Sequence, residues 1–157
     1  MNQPKVLLVT KNNILSEKLE GILGENAKLE IVNTIDNAIE KILANGFSLT
    51  ILDCQMDFPE TIMPEDLIKL NYVLCKGLIL IGDKSYEKRV KKSIGKSFSE
   101  LPVWRVDELD INDQLVNTFN KVLDVKIQTH QELFNDIMND IQSIKSSFFY
   151  KVTSIFL

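Results

Sequence analysis

Short runs of β-forming residues alternate with helical patterns along this chain of 157 residues, and the alternation constrains its fold more than any other feature. The strand-like runs occupy residues 6–9, 29–32, 49–52, 78–81 and 102–106, and the last of them is the weakest. The runs at 6–9 and 78–81 are continuously apolar, which is typical of strands buried on both faces of a parallel sheet. Because helical spacing follows each run, the sequence predicts an α/β fold with a doubly wound five-stranded parallel sheet.

Turn and capping residues divide the chain in agreement with this pattern. Gly24 is a plausible stop for the first helix, and Asp36 is predicted to cap the second. Residues 54–63 read as a loop, after which Pro64 fits the first turn of the third helix. Asp110 is predicted to cap the last helix.

Composition narrows the class of protein. With 45% hydrophobic residues the chain can bury a core, and its six glycines and four prolines are too few for an all-β fold with many tight turns. Cys54 and Cys75 cannot form a disulfide framework and show no metal-binding spacing, so we expect a reducing, cytoplasmic compartment. No signal peptide or membrane span is expected, and a net charge of −4 argues against a generally nucleic-acid-binding surface.

The carboxyl-terminal part of the chain carries a different pattern. Between Asp110 and Leu157 there is no glycine or proline, and apolar residues recur with heptad spacing. We therefore expect two parts, an α/β domain over residues 1–124 and a helical extension over 125–157 that forms a coiled-coil homodimer. The predicted dimerisation positions are Ile127, Phe134, Ile137, Ile141, Ile144 and Phe148.

His130, the single histidine of the chain, falls on this heptad seam. A phospho-accepting histidine must face solvent and is commonly followed by an acidic residue, whereas Gln131 follows here. We interpret His130 as a polar seam residue that fixes the register of the helices.

The helix predicted after the fourth strand is strongly basic. Its basic residues are Lys84, Lys88, Arg89, Lys91, Lys92 and Lys96, set against the acidic Glu87. We predict an interaction surface for a protein partner that comprises Lys88, Lys91, Lys92 and Trp104; a solvated helix face is the alternative. No nucleic-acid recognition signature accompanies these charges, so direct contact with nucleic acid is not expected.

In doubly wound sheets, ligand chemistry sits at the carboxyl ends of the strands. Here that edge carries Thr10, Lys11, Asp53, Gly82, Asp83 and Asp107. With this strand order and Asp53 after the third strand, residues 4–124 resemble a response-regulator receiver domain, whose fold is flavodoxin-like. The resemblance implies that Asp53 would be the phospho-acceptor if the site were active.

The chain departs from the receiver pattern at the other site positions. The family has two acidic residues that hold Mg²⁺ after the first strand, where this chain has Thr10 and Lys11. Gly82 replaces the hydroxyl residue after the fourth strand, and Val106 stands where the resemblance places a lysine. The sequence therefore resembles a degenerate member, a pseudo-receiver, with no metal. We predict an ion pair between Lys11 and Asp53 in place of the cation.

These features together predict a non-enzymatic signalling domain without a cofactor. The resemblance implies two-component signal transduction through a protein partner or output domain. No phosphate loop or hydrolase motif supports an enzyme. Two alternatives stay open: a receiver that is phosphorylated on Asp53, and an amino-terminal fragment of a longer regulator.

Overall fold

The computed structural model describes residues 3–94 and 102–124 of the chain. Its strands are β1 Lys5–Val9, β2 Lys28–Val32, β3 Leu49–Asp53, β4 Gly77–Ile81 and β5 Trp104–Val106. Its helices are α1 Asn13–Leu23, α2 Ile35–Asn45, α3 Pro64–Leu74, α4 Lys84–Ser93 and α5 Ile111–Leu123. The strands pair in parallel in the order β2-β1-β3-β4-β5, which confirms the predicted doubly wound sheet.

The helix ends follow local capping chemistry. Pro64 is the first residue of α3, as predicted, because a missing N–H costs nothing there. The prediction that Asp36 caps α2 is wrong, since the Thr34 hydroxyl caps this helix by accepting from the Asn37 N–H at 3.1 Å. Asp36 lies within the first turn. Gly46 ends α2 in the left-handed conformation, with φ of 60°.

Two apolar layers cover the two faces of the sheet. Because successive strand residues point to opposite faces, Leu7 and Leu52 lie in the layer formed with α2, α3 and α4. Leu8 and Ile51 lie in the layer formed with α1 and α5. We call these the α2–α4 layer and the α1–α5 layer. All four side chains are completely buried, as the continuous apolar runs predict.

The fifth strand is shorter than its apolar run predicts. β5 begins at Trp104, and a 3₁₀ turn over Glu108–Asp110 separates it from α5. Asp110 precedes α5 at the capping position but makes no side-chain cap hydrogen bond. Instead the Asp107 carboxylate caps the 3₁₀ turn by accepting from the Leu109 N–H. None of the helices in residues 3–94 and 102–124 is long and apolar enough to cross a membrane.

The predicted carboxyl-terminal extension cannot be compared with the structure. Residues 125–157 lie outside the described residues. They include His130 and the seam positions Ile127, Phe134, Ile137, Ile141, Ile144 and Phe148. Lys96 of the basic segment also lies outside the described residues.

Candidate functional site

The site lies at the carboxyl edge of the sheet, where β1 and β3 end side by side. Asp53 is the last residue of β3, and Thr10 directly follows β1. Their side chains meet: the Thr10 Oγ1 donates a hydrogen bond of 2.6 Å to Asp53 Oδ2. Both residues are buried, with 3% of Thr10 and 5% of Asp53 exposed. The structure therefore brings two of the predicted site residues into direct contact.

Each carboxylate oxygen of Asp53 accepts a hydrogen bond. The Gln55 N–H donates to Oδ1 at 2.9 Å, while Thr10 serves Oδ2. Thr10 Oγ1 also accepts from the Asn12 N–H at 3.0 Å, so its hydroxyl proton is directed to the carboxylate. A buried carboxylate that accepts two hydrogen bonds recovers part of the solvation it lost on folding. Asp53 is thus held by neutral donors that lie just after β1 and β3 of the same chain.

The predicted ion pair between Lys11 and Asp53 is wrong. Lys11 is exposed and, among the described residues, has no ion-pair partner. Thr10 turns inward to the carboxylate, and the following side chain points outward. Leaving the ammonium in water avoids its desolvation, whereas a neutral hydroxyl can enter the site at lower cost. Lys11 lines a cavity of about 300 Å³ beside the site, together with Thr10, Asn13, Asn33 and Asn37.

Gly82 stands where the resemblance places a hydroxyl residue, and the space above it is already filled. A Cβ atom added to Gly82 would lie 2.5 Å from Cys54 Sγ and 2.7 Å from Cys54 Cβ. The Cys54 side chain therefore occupies the volume that a serine or threonine would need. Burial, with a further contribution from the charges of Asp53 and Asp83, raises the pKa of Cys54 to about 12. A thiol of this kind stays protonated and is a poor nucleophile.

Arg105 is the cation that closes the far end of the site. Its Nη1 donates to the Gly82 carbonyl oxygen at 3.0 Å, and its Nε donates to Glu87 Oε2 at 3.0 Å. Nη1 also lies 3.7 Å from Asp107 Oδ2. Arg105 therefore ties β5 to α4 and to the end of β4. The sequence signal that could have indicated Arg105 is the alternation of side chains along β5, which places Arg105 on the opposite face from the residues on either side of it, and in the structure that face carries α4.

The Glu87 end of this contact is electrostatically favourable. Partial burial acts to raise the pKa of Glu87, but hydrogen bonds from Lys91 and Arg105 outweigh it and lower the pKa below its ordinary value. The Lys91 Nζ lies 3.2 Å from Glu87 Oε1. The acidic residue of α4 is therefore bound on the β5 side of that helix.

Val106 is completely buried in the α1–α5 layer. It stands where the resemblance places a lysine, so β5 directs a methyl-bearing side chain into the core at that position. Arg105 cannot take over the role toward Asp53 within this arrangement, because its donors are directed to Gly82, Glu87 and Asp107. Among the described contacts, a hydrogen bond joins only two of the predicted site residues, Thr10 and Asp53. The other three lie nearby at the ends of their strands: Lys11, Gly82 and Val106.

The residues at this edge do not fit the Mg²⁺ ion that the resemblance implies. Mg²⁺ binds through carboxylate oxygens and water. Within residues 3–94 and 102–124, no cluster of three histidine, cysteine, aspartate or glutamate side chains could hold a metal ion. Asp53 supplies a carboxylate, but the Thr10 hydroxyl occupies one of its oxygens. Lys11, the residue after Thr10, adds a positive charge where the resemblance places a second carboxylate. The donor set is that of a hydrogen-bonded carboxylate.

The predicted interaction surface divides in two. Lys88, Lys91 and Lys92 are exposed on α4, which packs in the α2–α4 layer. Trp104 is partly buried against the α1–α5 layer on the other face of the sheet. Its indole Nε1 is buried and has no hydrogen-bond partner among the described residues. Trp104 and the lysines therefore do not form one continuous patch in this structure.

Comparison with known proteins supports the fold and leaves the sequence family open. No family model and no curated protein matches the chain. The fold resembles the crystal structure of the signal receiver domain of an HD domain-containing protein from Pseudomonas fluorescens Pf-5. That comparison has a TM-score of 0.58 and 16% identity, and covers 78% of this chain and 95% of that domain.

A second similar structure is a fusion protein that contains a trimeric coiled-coil segment of yeast Spc42. It has a TM-score of 0.59 and 13% identity, and the match covers 94% of this chain and 97% of the fusion protein. At these identities the likeness concerns the fold. Together with the β2-β1-β3-β4-β5 order of parallel strands, it shows that the chain has the fold of a signal receiver domain.

Proposed function

We propose that this protein is a pseudo-receiver, a signalling domain that acts by contact with another protein and without phosphorylation of Asp53. The observation that carries the proposal is the hydrogen bond from Thr10 to Asp53 Oδ2. It places a neutral hydroxyl on the oxygen that would otherwise be free for a metal ion. The receiver fold supports a role in signal transduction, and the altered edge residues support a site that works without the chemistry of the fold family.

The charge balance at the edge supports the same proposal. Transfer of a phosphoryl group to a carboxylate needs a cation that neutralises charge on the phosphoryl oxygens. Asp53 lacks neighbouring carboxylates at positions 10 and 11 that could recruit such an ion. Lys11 is exposed rather than directed at Asp53, so its ammonium does not replace the ion.

We further propose that residues 125–157 form the dimerisation segment. The support is the heptad spacing of apolar residues in the sequence. The end of α5 is fixed to the sheet, because the Lys76 Nζ donates to the Leu123 carbonyl oxygen at 2.6 Å. A lysine at the carboxyl end of a helix also interacts favourably with the helix dipole. The chain would then leave the domain from a defined point.

The partner would be a protein or an output domain, and the exposed lysines of α4 are its proposed contact. On this proposal the protein needs no cofactor and has no enzymatic activity. It does not bind nucleic acid directly and does not associate with a membrane. A cytoplasmic location stays a prediction from the two free cysteines.

Two alternatives compete with this proposal. Asp53 ends β3 at the position of the acceptor in the fold family, so a receiver that is phosphorylated there is the first. The chain could instead be the amino-terminal part of a longer regulator, in which residues 125–157 would lead to an output domain.

The first experiment is incubation of the full chain with acetyl phosphate and Mg²⁺, followed by intact-mass measurement. We expect no gain of a phosphoryl group. A phosphoryl adduct that disappears in the variant Asp53→Asn would establish the first alternative and contradict the pseudo-receiver. Titration with beryllofluoride and Mg²⁺, followed by thermal unfolding, provides a readout that does not depend on the lifetime of an acyl phosphate.

The dimer is tested by light scattering of the full chain at micromolar concentration. We expect a dimer, and we expect Ile137→Asp to shift it to monomer because a charge at a seam position must be desolvated. Gln142→Asp introduces the same charge outside the predicted seam and should leave the dimer intact. A strictly monomeric unmodified chain would contradict the dimerisation proposal.

A further inference from the structure

A groove lies between the start of α3 and one side of α4. It has a volume of about 360 Å³. Its lining residues are Met63, Pro64, Glu65, Tyr86, Arg89, Val90, Lys92 and Ser93. The contacts described above between Arg105, Glu87 and Lys91 use the opposite side of α4. The groove is therefore a separate surface of the same helix.

The floor of the groove is apolar. Val90 is buried, Tyr86 and Pro64 are partly buried, and 47% of Met63 is exposed. Met63 occupies the N-cap position of α3 without a side-chain cap hydrogen bond. Serine, threonine, aspartate and asparagine are strongly preferred at that position. Here the Asp66 carboxylate accepts a hydrogen bond of 2.8 Å from the Met63 N–H, so the main chain is satisfied while the methionine side chain remains on the surface of the groove.

The rim of the groove is basic. Arg89 and Lys92 are exposed on the α4 side, and Glu65 contributes one acidic side chain from α3. Over Lys84–Ser93 five basic residues stand against one acidic residue, a net charge of +4 on a chain whose net charge is −4. This concentration of one sign of charge attracts an acidic partner and speeds its encounter.

Arg89 also limits what the groove can bind. Its guanidinium lies 5.3 Å from the centre of the Tyr86 ring, in the range of a cation–π contact. The guanidinium therefore covers this face of the ring, which a nucleic-acid base would need for stacking. The remaining apolar surface, from Met63, Pro64 and Val90, suits an aliphatic side chain. Burial raises the pKa of Tyr86 above its ordinary value, so its hydroxyl remains a hydrogen-bond donor.

We infer that this groove is a docking site for an acidic segment of a partner protein, with an apolar side chain of that segment on Met63 and its carboxylates on Arg89 and Lys92. The inference rests on the proposed function in one respect, because it names the chemistry of the protein partner. The apolar floor supplies the contact area, and the two cations select acidic neighbours of the anchor residue. A single groove thus combines both requirements.

The test is a titration of the full chain into a short fluorescein-labelled peptide of glutamate, alanine and leucine residues, followed by fluorescence anisotropy. We expect saturable binding that weakens as the salt concentration rises. A matched peptide with glutamine in place of glutamate should bind at least about tenfold more weakly. Equal binding of the two peptides, or no binding of the acidic one, would overturn the inference.

Two pairs of substitutions distinguish the groove from the general charge of the protein. The pair Arg89→Glu and Lys92→Glu reverses the rim and should weaken peptide binding by about tenfold or more. The pair Lys18→Glu and Lys121→Glu changes the net charge equally at exposed positions of α1 and α5 and should weaken it by less than about threefold. Equal losses from both pairs would show attraction to the overall charge of the protein and would overturn the groove. Circular dichroism checks that each variant is folded.

Met63→Ser separates binding from stability. Serine restores a good N-cap for α3, so the melting temperature should rise. It also removes the exposed apolar side chain of Met63 from the floor, so peptide binding should fall by about fivefold. A merely structural role of Met63 would not give this pair of opposite effects, and unchanged binding would contradict the docking site. Single-stranded DNA serves as a competitor; displacement of the peptide by DNA at comparable concentration would point to a polyanion surface and also contradict it.

The docking site and the proposed function can be contradicted separately by these experiments. A phosphoryl adduct on Asp53 would end the pseudo-receiver proposal and leave the groove unaffected. Loss of peptide binding in both pairs of charge variants would end the docking site while Asp53 remained unmodified. The two experiments use the same full chain under the same conditions.

Discussion

The Thr10 hydroxyl donates a 2.6 Å hydrogen bond to the Asp53 carboxylate and so joins two parallel strands across the carboxyl edge of the sheet. In the receiver pattern the corresponding position holds an acidic residue that cannot donate to a carboxylate when ionised. In this chain Thr10 and Lys11 stand at the two positions where the resemblance places acidic residues, and the Asp53 carboxylate accepts its hydrogen bonds from donors of the protein itself.

Replacing Thr10 tests how much this hydrogen bond stabilises the fold. Thr10→Ala leaves a buried carboxylate oxygen without its donor and the Asn12 N–H without its acceptor. We expect the free energy of unfolding, measured by urea denaturation, to fall by about 2 kcal/mol. Thr10→Ser keeps the hydroxyl and should lose less than about 1 kcal/mol. Equal losses for both variants would assign the effect to the lost methyl group and contradict the role of the hydrogen bond.

The close approach of Gly82 to Cys54 gives a second prediction. Gly82→Ala would place a Cβ atom 2.5 Å from Cys54 Sγ, which the packed site cannot accept without movement. We expect a loss of about 1–3 kcal/mol in the free energy of unfolding. Cys54→Gly removes both contacting atoms, so the double variant should lose clearly less than the sum of the two single variants. Additive losses in this double-mutant cycle would show that the two side chains do not compete for the space.

Much of the fold could be predicted from local sequence. The runs ending at Val9 and Ile81 are apolar throughout because both faces of their strands are buried, and burial of that kind leaves a direct record in the sequence. Pro64 likewise marked the start of α3. The cap of α2 was less determined, because Thr34 and Asp36 are both good caps and two residues apart. Which of them is used depends on where the preceding strand releases the chain.

The site was harder to predict because charge in a sequence carries no direction. Lys11 has the right sign to pair with Asp53, but Thr10 points inward and Lys11 is exposed. The predicted surface of Lys88, Lys91, Lys92 and Trp104 extends over both faces of the sheet for a related reason. Trp104 and Arg105 are adjacent in β5 and therefore face opposite layers, and the residue that faces α4 is Arg105. The alternation of side chains along β5 could be predicted from the sequence. Which of the two alternating sets faces α4 could not be predicted, because that depends on how each face of the sheet is covered.

The ion pair between Arg105 and Glu87 stabilises the protein at neutral pH, and this contribution should be lost in acid. The folded-state pKa of Glu87 is lowered, so its contribution is complete above the ordinary glutamate pKa and is lost as the pH falls through the folded-state value. We expect Glu87→Gln to lose about 1 kcal/mol in the free energy of unfolding at pH 7. The difference from the unmodified chain should shrink in acid, once Glu87 is protonated.

Urea denaturation across a pH series measures this difference. Glu108→Gln removes an exposed carboxylate that has no ion pair among the described residues, and it should leave the stability nearly unchanged at every pH. A Glu87→Gln difference that stayed constant from neutral to acidic pH would show that the contact depends on shape and hydrogen bonding, and would contradict an electrostatic link between β5 and α4.

Restoring carboxylates at the site should restore metal binding, which tests the central substitution directly. The variant Thr10→Asp/Lys11→Asp places two acidic side chains beside Asp53, where the unmodified chain has a hydroxyl and an exposed ammonium. Without metal, repulsion between the carboxylates should lower the melting temperature. Mg²⁺ should then raise it, by an amount equivalent to about 2.7 kcal/mol when the ion is at a hundred times its dissociation constant. The variant Thr10→Asn/Lys11→Asn has nearly the same shape without charge and should not respond to Mg²⁺. An unmodified chain that Mg²⁺ stabilises as strongly as the acidic variant would contradict the interpretation of Thr10 as the residue that makes the site independent of a metal ion.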